Sequence, residues 1–199
     1  MFAVGHLALA YLAGKASSKA LKVRVNIALI FALGILPDID LLIPAINHRQ
    51  VTHSIIVISL LFLPLFLSKR RRKTSIPYFV AIIQHIFADF LTFSTIQLLW
   101  PISRKPFGLL LPLPIDLTSE WVLFLGFTIV MLYSGDLDEL LKWKSANLFL
   151  VIPIGSIGLP LFLGFPVSVP AELYIPHFIL LIIFTFLLPN AFAKKIRNS

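Results

Sequence analysis

The sequence contains no cysteine. That excludes disulfide frameworks, thiolate zinc centres and cysteine nucleophiles. It is also poor in charge: 13% of its 199 residues are Asp, Glu, Lys or Arg, against about 25% in an ordinary soluble domain. Acidic residues are the scarcer kind, 9 against 17 basic. No glycine belongs to a Gly-rich loop that opens a helix with a lysine, which removes the usual nucleotide-phosphate loops. There is no internal repeat, low-complexity tract or heptad seam. What is abundant is apolar: 58% of residues are hydrophobic and the mean hydropathy is +0.95. A globule of this length cannot hide that much apolar surface. A soluble enzyme and a disordered chain are both excluded, and a multi-pass membrane protein remains. The net charge of +8 would suggest nucleic acid in a soluble protein. Here it is read as loop charge set by membrane insertion, and no nucleic-acid partner is expected.

Apolar stretches fall at 2–14, 25–36, 54–68, 76–100, 121–135, 147–167 and 173–188. The expected fold is an all-α transmembrane bundle of about seven spans, forming one integral membrane domain over 1–199. Several stretches are shorter than the roughly 20 residues of a full span, so they tilt or continue into Pro-containing neighbours. Alternating the loops places fourteen of the seventeen basic residues on one side, including the run Lys69 to Lys73. Arg49, Arg104 and Lys105 fall on the other. Positive residues mark the cytoplasmic side, so the N-terminus is expected outside and the C-terminus inside. The start does not read as a cleaved signal, because its charges follow the first apolar run. Segment 101–120 holds four prolines and is read as an outer loop; 153–170 is read as a kinked span. Asp136, Asp138, Glu139, Lys142 and Lys144 read as a short solvated inner helix, and His177 as an interfacial residue.

Four polar segments interrupt this pattern: Gly5-His6, the LPDID run at 36–40, the HRQVTHS run at 48–54, and His85 with Asp89. The topology places the first three near the outer face. His85 lies about 14 Å from the inner end of its span and Asp89 about 6 Å further out. All four can therefore converge in the outer half of the membrane. Spacing i,i+4 puts His85 and Asp89 on one helix face. An ionised Asp in a span costs about 2.5–3.5 kcal/mol and needs a partner. A divalent cation is one, and an imidazole with a carboxylate suits it.

Asp38 and Asp40 follow Pro37, so they are either helix-end caps or ligands. Their spacing of two sends them to different sides, and Asp38 is preferred as the ligand. His53 is a candidate ligand at a helix entrance, with Thr52 or Ser54 as its N-cap. His6 is either an interfacial residue or a ligand at a second ion. Arg49 suits bidentate phosphate recognition. His48 has three roles open to it: ligand, general acid, or support behind the ligands. Arg104 sits at headgroup level, binding phosphate or anchoring its helix.

The set G-H at 5–6, L-P-D-I-D at 36–40, H-R-Q-V-T-H-S at 48–54, H-I-F-A-D-F-L-T at 85–92 and L-W-P-I-S-R-K-P-F-G at 99–108 resembles the YdjM family. Members are described as inner-membrane, metal-dependent hydrolases and are also labelled LexA-binding. The resemblance covers residues 1–110, leaving 111–199 as additional spans without motifs. A weaker likeness is to the zinc-dependent phospholipase C group. It implies Asp38 or Asp40, His53, His85 and Asp89 at one metal and His6 at another. That group continues with further histidines, whereas this chain has none between His85 and His177, so one or two ions are expected rather than three.

These readings combine into a membrane-embedded metal-dependent hydrolase. It would act on a phosphoester of a lipid or lipid-linked substrate at the outer face, through a metal-bound water. Zinc is the first choice, with manganese or iron as alternatives. The expected ligands are His6, Asp38, His53, His85 and Asp89; the expected catalytic groups are Asp40, His48 and Arg49; Arg49 and Arg104 would bind substrate phosphate. Two other classes use the same residues: an ion- or proton-coupled transporter, and a non-catalytic membrane adaptor with a structural metal.

Overall fold

The computed structural model describes residues 1–43, 48–92, 95–142 and 145–197. Lys144, one of the basic residues used for orientation, lies outside them. The described chain is helical: α1 (Ala3–Ala20), α2 (Ile27–Ile35), α3 (Ile55–Leu67), α4 (Arg72–Leu91), α5 (Leu113–Ser134), α6 (Asp136–Leu141), α7 (Val151–Leu163) and α8 (Tyr174–Arg197). Short 3-10 turns occupy Leu36–Leu42, Ser145–Leu150 and Ala171–Leu173. Each of the seven apolar stretches carries one helix. Four helical segments are long and apolar enough to cross a membrane: Arg72–Leu91, Leu113–Ser134, Ala146–Leu163 and Ala171–Leu188. The nine residues of α2 span about 14 Å, less than half of a bilayer core.

Local chemistry sets the boundaries. The Asn26 side chain accepts from the Leu29 amide and opens α2. Pro37 then tightens the chain into the 3-10 turn that follows. Ser54, rather than Thr52, caps α3 by accepting from the Val57 amide. Gly135, at φ +68°, closes α5 in the left-handed conformation that glycine adopts without a Cβ penalty. Segment 101–120 is an irregular loop only as far as Pro112. An antiparallel bridge joins Phe107 of this loop to Ile96, with both N···O distances 2.9 Å, and the Leu109 and Leu111 amides tie it to the Phe90 and Leu91 carbonyls at the end of α4. From Leu113 the chain is helical, so Asp116 and Glu120 lie on α5.

The bundle is built around α1, which packs on α4, α2 and α5. Its residues Val4, Leu7, Ala8 and Tyr11 are fully buried. Tyr11, Phe31, Phe127 and Phe184 form an aromatic cluster with neighbouring ring centroids 5.0–5.8 Å apart. Outward faces are apolar instead of charged: Leu61, Val122, Leu132, Phe162 and Phe186 are each more than 60% exposed. A surface of that kind suits lipid rather than water. Helices in such a solvent associate through close packing of small residues. Here Gly34 meets Ala10 so closely that a Cβ on Gly34 would lie 2.3 Å from the Ala10 Cβ.

Asp136 corrects the solvated-helix reading. It is 3% exposed and accepts hydrogen bonds from Lys15 Nζ at 2.6–2.7 Å and from the Tyr11 hydroxyl at 2.6 Å. Burial opposes its charge, but bonds from Lys15, Tyr11 and Ser134 outweigh that and hold its carboxyl below the usual range.

Two stability outcomes follow from these contacts. Gly34→Ala should lower stability by about 1–3 kcal/mol through overpacking, read as a lower thermal midpoint in detergent. Asp136 contributes stability above its unfolded pKa of roughly 3.9, and loses it as pH falls through the lower folded value. Asp136→Asn should therefore lower the midpoint at pH 7 and flatten its decline on acidification. An unchanged midpoint at pH 7 would refute the latch.

Candidate metal centre

Asp38 and Asp40 reach different neighbours because they lie in a 3-10 turn. Residues two apart there project about 120° from each other, since three residues complete a turn. Asp38 turns toward α4 and His53, and Asp40 toward the 48–53 loop. His85 and Asp89 occupy one face of α4, as their i,i+4 spacing requires. His6 comes from the first turns of α1. His6, Asp40, His53, His85 and Asp89 are all at most 2% exposed.

Four ligand atoms close on a common point. His53 Nε2 and His85 Nε2 are 3.2 Å apart. Asp38 Oδ1 lies 3.5 Å from His53 Nε2 and 3.3 Å from His85 Nε2. Asp89 Oδ2 lies 3.3 Å from His53 Nε2 and 3.9 Å from His85 Nε2. A tetrahedral ion with ligands at 2.0–2.1 Å separates them by roughly 3.4 Å. These four residues could hold a metal ion.

The ring tautomers point the same way. His85 Nδ1–H donates to the Gly34 carbonyl at 2.8 Å. His53 Nδ1–H donates to the Thr52 hydroxyl at 2.9 Å, and that hydroxyl donates to Asp40 Oδ2 at 2.5 Å. With both Nδ1 atoms committed as donors, the two Nε2 atoms face each other at 3.2 Å, a gap filled either by a proton on one of them or by a cation that both bind. Both Asp89 oxygens and both His6 ring nitrogens are buried without a hydrogen-bond partner. Unpaired buried carboxylate oxygens are costly. The donor set therefore fits a divalent ion.

Electrostatics agree outside the helices. Burial opposes the charge on Asp38, but the histidines around it hold its carboxyl well below the usual range. Burial likewise opposes protonation of His53, yet Asp38, Asp40 and Asp89 push its pKa well above the ordinary imidazole value. The site calls for positive charge. Asp40 forms, with His48 and His53, a second group that could hold an ion; besides Thr52 it accepts from His48 Nδ1 at 2.7 Å and the Arg49 amide at 3.1 Å. Burial opposes its charge, and these bonds lower its pKa nevertheless.

Arg49 has φ +65°, a left-handed conformation that costs a non-glycine residue on the order of 1–3 kcal/mol. Its amide is held by Asp40, and its carbonyl accepts from the Gln97 amide at 3.0 Å. Its Nε lies 3.5 Å from Asp89 Oδ2. Asp38, His48 and Arg49 together line a cavity of about 380 Å³. His177 lines it too, buried, with Nδ1–H donating to the Leu173 carbonyl at 2.8 Å. Arg104 is exposed and is not among the lining residues.

His6 stacks on His85 with centroids 3.7 Å apart, and its Nε2 lies 3.2 Å from Asp89 Oδ1. Sequence reasoning missed what surrounds it. Glu120, fully buried, accepts the amide of Gly5 at 2.6 Å and that of Phe2, capping α1 from α5. Asp116 is buried with both oxygens lacking a hydrogen-bond partner. The Met1 ammonium lies 3.7 Å from Asp89 and 3.6 Å from Asp116. The missed signal was the i,i+4 pair Asp116 and Glu120 at the head of an apolar run, the same pattern as His85 and Asp89.

A family model described as YdjM inner membrane protein matches residues 1–188, and the chain belongs to that family. The match extends well past the motifs at 1–110 into the C-terminal helices. No curated protein and no solved structure matches.

Removing a partner behind the ligands weakens metal affinity by roughly 10–100-fold in comparable sites. Thr52→Val should therefore raise the zinc dissociation constant by that factor in a chelator competition, with little change in thermal midpoint. Unchanged affinity in the folded variant would refute the Asp40–Thr52–His53 relay.

Proposed function

We propose that this member of the YdjM inner membrane protein family is a metal-dependent phosphoesterase, acting on a lipid or lipid-linked phosphoester at the outer face of the membrane. The observation that carries the reading is the juxtaposition of the four-atom cage with a cavity walled by Arg49 and His48. Asp38, His53, His85 and Asp89 would hold one ion, and His6 with the second oxygen of Asp89 suits another. A mixed N/O donor set favours zinc, with manganese or iron behind it. When bound, such an ion supplies a Lewis acid that acidifies water and polarises a phosphoryl oxygen.

The remaining work falls to the chain. Arg49 binds the phosphoryl oxygens, and its backbone pins to Asp40 and Gln97 keep the guanidinium base in place. His48 donates a proton to the leaving oxygen from Nε2, because Nδ1 is committed to Asp40. Hydrolysis joins the water oxygen to phosphorus and breaks the bond from phosphorus to the leaving oxygen. One water proton ends on the released alcohol and the other is released from the new phosphate. Asp40 keeps both His48 and Thr52 oriented through the cycle. The outer-face assignment rests on the basic-loop asymmetry.

Metal content by mass spectrometry and hydrolysis of phosphoester lipids, measured on the same detergent-purified samples, test the reading. Wild type should carry one or two transition-metal equivalents, and His85→Ala and Asp89→Ala should lose them with activity. His48→Ala should keep its metal and lose about 10²–10⁴-fold in kcat. Wild type that stays metal-free after incubation with Zn²⁺ or Mn²⁺ would sink the proposal.

A further inference from the structure

Asp38, His48, Arg49, Ser156 and His177 line the cavity beside the cage, and apolar side chains form most of the rest. One wall comes from α7, in the half of the chain that carries no motif. Val151, Gly155 and Leu159 recur every four residues there, so they share one helix face, and all three line the cavity. Gly155 is the notch in that face. A Cβ built on it would meet no atom within 4 Å, whereas at Gly5, Gly14 and Gly34 it would meet neighbouring side chains at 2.3–2.9 Å. Those three glycines permit close packing; Gly155 leaves space.

We propose that this space holds the apolar chain of the substrate, and that the substrate is a single-chain lipid phosphoester whose chain runs along α7 past Gly155. The inference rests on the phosphoesterase reading above and adds the substrate class and the residue that selects it. An amphiphile matches this lining: charge against Arg49 and His48, hydrocarbon against Val151, Gly155 and Leu159. The volume of about 380 Å³ lies near the lower limit of ligand cavities, roughly 300–1,000 Å³, which matches a phosphate with one chain. Chain burial also gives a gain that grows with length, by roughly fourfold per buried methylene.

The test uses full-length protein in nanodiscs and a dodecyl phosphonate carrying a diazirine at its chain end. Photolabelling should concentrate on residues 151–160. An unlabelled single-chain phosphonate should compete, while two-chain phosphatidate and inorganic phosphate should not. Gly155→Phe should reduce labelling at least fivefold, and Gly155→Val should give an intermediate loss, so a poorly folding Phe variant leaves the test intact. In parallel, kcat/KM should rise at least tenfold from ethyl to dodecyl nitrophenyl phosphodiesters. Gly155→Phe should flatten that rise at least threefold, and Gly155→Val should flatten it by less. Labelling spread over the exposed faces of α3 and α5 and indifferent to Gly155→Phe would overturn the proposal, as would equal competition by phosphatidate. Label on α7 without turnover of any ester refutes the hydrolase reading alone. Ethyl-ester turnover with no label on α7 refutes the chain site alone.

Discussion

Negative charge held inside an apolar bundle is the constraint on which the rest of this structure depends. Asp89, Asp116 and Glu120 gather at the start of α1, and Asp38 and Asp40 lie beside them around His53, five of the nine acidic residues. Each ionised carboxylate within a span costs about 2.5–3.5 kcal/mol when unpaired. The arrangement is tolerable only because positive or donating groups surround it. Asp40 takes three hydrogen bonds, and Glu120 takes two backbone amides. Asp38 and Asp89 share the Nε2 atoms of two imidazoles, where a proton or a metal cation balances their charge. The carboxylates of Asp89 and Asp116 make no hydrogen bond among the described residues and rely on ion pairs, with the Met1 ammonium 3.7 and 3.6 Å away and, for Asp89, with His6, His53 and Arg49 as well.

The fold serves that cluster. Val4 to Ala8 of the first helix are all buried, so His6 sits at the centre rather than against lipid. Gly34 has two tasks at once: its missing side chain lets α2 approach α1, and its carbonyl sets the tautomer of His85. At the other end of α1, the Lys15–Asp136–Tyr11 latch joins α1 to the start of α6. A helix held at both ends keeps His6 stacked on His85. Packing precision and ligand geometry are thus the same requirement, met by the same residues.

The two halves of the chain divide the work. Residues before 110 supply the charged cage and part of the cavity's apolar lining, and residues after 150 supply the rest of that lining. A chemical centre recruited from polar interruptions needs strict spacing, and so leaves recognisable motifs. A wall for hydrocarbon needs only size and apolarity, so α7 carries no motif although it lines the same cavity.

The amino-acid sequence by itself determined the membrane class, the positions of the seven main helices, and the four segments that meet at the cage. Those are local properties: hydropathy along 15–20 residues, the i,i+4 spacing of His85 and Asp89, and the break at Pro37. It also separated Asp38 from Asp40, because their spacing of two forces divergence. Only the tertiary structure decided that Thr52 serves Asp40 instead of capping α3, that Asp136 is a buried latch, that His177 faces the cavity while Arg104 does not, and that Asp116 and Glu120 belong beside His6. The bond from Gly5 to Glu120 joins residues 115 positions apart, and no periodicity in the chain encodes a partner at that distance. Such pairings exist because desolvated charge must find compensation wherever packing brings it, and packing is settled by the bundle as a whole.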